Sequence, residues 1–127
     1  MTENLPKYGE PTDWHTVDSV RTPSEPGEPA PWEDAEHIPT ASLNDVLNVA
    51  REQVLEFAPA LPPELVEAGK CPASYRVAHL MQARNLWNAT EPDRSAYGDD
   101  GFSIPARPLD WIVRQMLRPK TPIPVAL

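Results

Sequence analysis

A single cysteine, Cys71, leaves the chain without an intrachain disulfide and without the cysteine pairs of a zinc site. Glycine is scarce, at 5 residues, and no glycine-rich phosphate loop can be written. Basic residues number 11 against 19 acids, a net charge of −8, so a protein that grips nucleic-acid phosphates along its length is not expected. No apolar run approaches the roughly 20 residues a membrane-crossing helix needs, and no secretory leader pattern is legible. The expectation is a soluble protein of a reducing compartment.

Catalytic patterns are missing in the same way. His15, His37 and His79 are scattered, with no HExxH and no zinc-ligand spacing. No GxSxG elbow presents a serine, and Cys71 has no basic neighbour beyond Lys70, so a buried or capping thiol is expected. Asp93, Asp99 and Asp100 lack the alternating ligands and terminal glutamate of a calcium loop. No catalytic residue, metal or cofactor is assigned.

Proline is what the chain has in abundance. Its 17 prolines far exceed the usual share of about 5%. None falls in 41–58, 73–91 or 109–118, the three stretches with helical periodicity, whereas 7 fall in residues 1–39. That first stretch also carries 9 acids against Lys7 and Arg21. It reads as an extended, acidic, proline-rich arm, able to reach on the order of 100 Å if fully stretched. Trp14 and Trp32 are unusual in such a segment and read as anchors that dock the arm on a neighbouring subunit.

Residues 40–117 read as an all-α bundle. A first helix is expected after Thr40 or Ser42, with Asp45 in its first turn and an apolar stripe of Leu43, Val46, Leu47, Ala50, Val54, Phe57 and Ala58. Pro63 and Gly69 bracket a short turn of helix. A second main helix from about Ala73 to Thr90 is apolar over most of its circumference and should be central. Leu80 or Met81 to alanine would then cost roughly 2–5 kcal/mol. His79 on it reads as a packed or interface histidine. Residues 102–107 alternate as a short edge strand at best, and Pro108 should open the final helix.

That helix ends at Arg118-Pro119. Residues 118–127 continue as an extended tail in which prolines recur among apolar and basic residues. The tail suits insertion into a partner through Arg118, Pro119, Lys120, Pro122, Ile123, Pro124, Val125 and Leu127. Arg76, Arg84 and Arg114 read as arginines whose heads bridge subunits in salt bridges.

The stretches YRVAHLMQARNLWNA (75–89) and PLDWIVRQMLRPKTPIPV (108–125) resemble the head-to-tail adaptor (connector) proteins of long-tailed bacteriophages, those of actinobacteria above all. The resemblance covers residues 42–127; the acidic arm departs from compact members. It implies a virion structural protein, assembled in the host cytoplasm, that forms a homo-oligomeric, dodecameric ring. The portal protein would bind the C-terminal segment, and a stopper or tail completion protein would lie below. DNA would pass through the acidic channel without specific binding. Two other readings stand beside it: a stopper or head-completion ring protein, expected to be β-rich, and a small regulatory protein that binds a host factor through the arm. An enzyme comes third.

Overall fold

In the computed structural model, residues 10–90 and 107–118 are described. Of these, 62% are helical and 4% are strand, so the fold is all-α. The proline-free stretches are where the long helices lie. Helix α2 spans Thr40–Phe57 and buries Leu43, Val46, Leu47, Ala50 and Val54, five of the seven stripe residues; Ala58, its C-cap, is a sixth. The capping differs from expectation. Pro39 occupies the N-cap with no side-chain hydrogen bond, and the helix starts at Thr40 itself, leaving Asp45 beyond the first turn.

Helix α3, Pro63–Ala68, has Pro63 in its first turn and ends at Gly69, whose φ of 71° is the left-handed conformation that a side chain disfavours. Helix α4, Ala73–Ala89, packs along α2, running antiparallel to it. Tyr75 near its start donates to the Pro59 carbonyl at 2.7 Å, while Leu86 near its end joins Leu43 and Val46. Its buried face is Tyr75, Ala78, His79, Gln82, Ala83 and Leu86. Leu80 and Met81 are only half-buried at the margin of the core, so the full large-to-small penalty belongs to Leu86 instead.

The last described helix, α5, spans Trp111–Leu117 and inserts Val113 and Leu117 beside Val54, Ala58, Tyr75 and Ala78. It opens three residues after Pro108, because the Asp110 carboxylate accepts from the Val113 N–H at 3.0 Å and sets the N-cap there. The possible strand of 102–107 lies, except for Arg107, outside the described residues.

The largest departure concerns the first segment. Within residues 10–39 the chain forms strand β1 (Thr12–Asp13), helix α1 (Val17–Arg21) and a 3-10 turn (Glu33–His37). Strand β1 pairs antiparallel with β2 (Lys70–Cys71), Thr12 opposite Cys71. Val20, Trp32, Ala35 and Ile38 join the core around Leu43, Val46 and Leu86. Arg21 donates to the carbonyls of Ala35 and Ile38, at 3.2 and 2.8 Å, closing the segment into a loop. From residue 12 to 38 the supposed arm is part of the bundle. Burying Val20, Trp32 and Ile38 outweighs the extended preference of the prolines between them.

Candidate interaction surface

The tryptophans read as inter-subunit anchors are core residues of their own subunit. Trp14 is 5% exposed and Trp32 4%. The Trp14 ring meets Tyr75 and His79 edge-on, at centroid distances of 6.3 and 5.4 Å, and carries the Arg51 guanidinium 5.0 Å from its centroid. Each indole buries more apolar area inside this chain than an exposed anchor would, so neither is left for a neighbour.

Trp14 also brings together two histidines that lie 64 residues apart. The His15 N–H donates to His79 Nδ1 at 3.3 Å, and His79 Nε2 lies 2.8 Å from the Leu47 carbonyl. An Nε2–H tautomer satisfies both contacts at once. His15 Nδ1 lies 2.8 Å from Ser19 Oγ, and Ser19 forms a reciprocal cap with Thr16 at the start of α1. Burial pushes both histidines down to about 4, with the Arg76 charge adding for His15; the Leu47 carbonyl opposes the shift at His79. The expectation of a packed His79 holds.

Arg76, read as an inter-subunit bridge, donates to the Asp13 carbonyl at 2.6 Å and so ties α4 to its own N-terminal segment. Lys70 donates to Asp13 Oδ1 at 2.8 Å; this hydrogen bond, with the ammonium charge, holds the Asp13 carboxyl below its usual range. Cys71 is buried, and burial raises its thiol pKa, which suits an unreactive packing role. Among the described residues no cluster of three metal-ligating side chains occurs, and no helix is long and apolar enough to cross a membrane.

Arg84 is exposed on α4. Arg114 is exposed on α5 and has no ion-pair partner among the described residues. Arg118, the first residue of the tail, is the C-cap of α5, its N–H donating to the Arg114 carbonyl, and it ties α5 to the end of α2: its Nε donates to the Phe57 carbonyl at 2.6 Å and its guanidinium lies 5.4 Å from the Phe57 ring centroid. Pro119, Lys120, Pro122, Ile123, Pro124, Val125 and Leu127 lie outside the described residues.

Around these arginines lies a surface that the helical periodicity did not anticipate. Trp111 is 65% exposed and Ile112 52%, on the side of α5 away from Val113 and Leu117. A cleft of about 400 Å³ is lined by Gln53, Glu56, Phe57, Pro108, Leu109 and Arg114. An adjoining one of about 280 Å³ is lined by Phe57, Trp111, Arg114, Gln115 and Arg118. The floor is held by amides: Gln82 Nε2 donates to Gln53 Oε1 at 2.7 Å and to the Arg107 carbonyl at 3.0 Å, and Gln53 Nε2 donates to that carbonyl too. Asn85 adds a 3.0 Å bond to Asp110, fixing the N-cap of α5 against α4. Sequence periodicity groups Trp111 and Ile112 with Leu109, Val113, Met116 and Leu117 as one apolar set; the structure splits that set and leaves Trp111 and Ile112 exposed.

An exposed tryptophan beside an aromatic cleft and two arginines can bind another macromolecule; among the described residues it brings together no nucleophile and base. Compared with protein families, curated proteins and solved structures, the chain matches none.

Proposed function

We propose that this protein is a structural head-to-tail adaptor of a tailed bacteriophage, a ring subunit set between the portal protein and the stopper or tail completion protein, around the channel that DNA crosses. The observation that carries the reading is at the C-terminal end. Helix α5 presents Trp111 and Ile112 to solvent and delivers the chain, at Arg118, into the apolar tail with its prolines at 119, 122 and 124. Exposed apolar groups of this size gain stability only when a partner covers them. The sequence resemblance of 75–89 and 108–125 names the kind of partner.

The fold weighs on the rival readings. A stopper is expected to be β-rich, and the helical content here argues against one. The regulatory reading needed a free acidic arm, yet the segment is fastened to the bundle on both sides of the exposed stretch 22–29, through Val20 before it and Trp32, Ala35 and Ile38 after it. The same finding removes an extended, wrapping arm from the adaptor mechanism, and portal contacts fall to α5 and the tail.

Removing residues 118–127 tests the docking step. The truncated chain should keep its helical circular dichroism and lose capture by immobilised portal protein. Undiminished capture would refute the reading.

A further inference from the structure

Two exposed features of opposite character sit at opposite ends of α2. At its N-terminal end, residues 22–29 are all exposed, and Glu25-Pro26-Gly27-Glu28 folds into a tight turn. The Glu28 N–H donates to the Glu25 carbonyl at 3.1 Å, and Gly27 takes φ +89°, a conformation L side chains rarely adopt. Proline followed by a positive-φ glycine is the signature of a type II turn, a rigid knob. Nothing lies within 4 Å of where a Gly27 Cβ would stand, and with residues 22–29 exposed the turn is open to solvent. Neither Glu25 nor Glu28 has an ion-pair partner among the described residues.

At the C-terminal end lies the aromatic cleft, with Phe57 and Trp111 as walls and the guanidinium groups of Arg114 and Arg118 at its rim. A proline ring packs well against an exposed indole, and a carboxylate pairs with a guanidinium through two parallel hydrogen bonds. The 18-residue span of α2 separates the two features by about 27 Å at 1.5 Å per residue, so the knob cannot reach the cleft of its own chain.

We propose that the Glu25–Glu28 turn of one copy seats in the Phe57–Trp111 cleft of a second copy, with Pro26 against the Trp111 indole and the two carboxylates on Arg114 and Arg118. The turn is already formed, so little ordering entropy opposes docking. The contact joins different surfaces of two copies. Repeated, it closes into a ring or runs on as a filament. This deepens the ring reading above by naming the contact between neighbours, and it is measurable on the isolated protein.

The test is native mass spectrometry and sedimentation of the full chain. The wild-type protein should self-associate, and added salt should weaken it. Glu25→Arg/Glu28→Arg and Arg114→Glu/Arg118→Glu should each weaken self-association about tenfold or more. Each double variant repels its own kind but complements the other variant at both surfaces, so a mixture of the two should regain assembly with the variants alternating. Placing all four reversals in one chain should restore self-association. A wild-type chain that stays monomeric, variants that associate as wild type, or a mixture that does not pair would overturn the proposal. Those results leave the portal capture experiment untouched, so the two readings fail separately.

Discussion

At the residue scale, the buried histidine pair gives the fold a response to acid. Both imidazoles are neutral in the fold, with pKa values lowered to about 4 from an ordinary 6.5. The unfolded chain therefore binds more protons between those two values. Stability is fully present above about pH 6.5, falls as the pH drops through that window, and levels off for these groups below about 4. Urea melts at pH 7.0, 5.5 and 4.5 should show the midpoint falling stepwise, and a His79→Gln variant should show a shallower fall. An unchanged slope in that variant would mean that the pair does not sense the proton.

Trp14 and Trp32 give a second residue-scale expectation. As core residues they should each cost roughly 3–5 kcal/mol on truncation to alanine. Equilibrium denaturation of the monomeric protein measures this. Losses below about 0.5 kcal/mol would be those of surface positions, as the arm reading required.

At the element scale, the helices were legible wherever one physical signal dominated. The boundaries of α2, α3 and α4 follow from proline placement and a 3.6-residue apolar period, and Gly69 marked a stop that only local backbone geometry requires. Residues 10–39 were not legible, because tertiary contacts decide them. Val20, Trp32 and Ile38 have no periodicity, and their order comes from packing on Leu43, Val46 and Leu86, distant in sequence. The pairing of His15 with His79 is invisible for the same reason. One local clue was present: Thr16 and Ser19 cap α1 reciprocally just ahead of Val20.

Helix α5 divides into two faces, and substitutions should separate them. Leu117→Ala empties a buried site and should cost about 2–5 kcal/mol, whereas Trp111→Ala should leave thermal unfolding within about 0.5 kcal/mol of wild type. The same Trp111→Ala variant should lose self-association. If Trp111→Ala destabilised the monomer as much as Leu117→Ala, the exposed face would be a folding element and not a surface kept for another chain.

At the scale of the whole molecule, α2 runs between an acidic knob and a basic aromatic cleft, while α2 and α4 together carry two apolar clusters, one around Leu43 and Leu86 and one around Val54 and Tyr75. A body with unlike ends is suited to repeat itself around an axis. Residues 12–38 are folded in, so portal docking would fall to α5 and the tail beyond Arg118. The adaptor reading asks for such a body, present in the particle as often as the portal subunit it would touch.

Quantitative mass spectrometry of purified tailed particles from the host that carries this sequence measures that ratio directly. The account predicts the polypeptide in the particle at one copy per portal subunit. Particles that assemble fully without it would contradict the account.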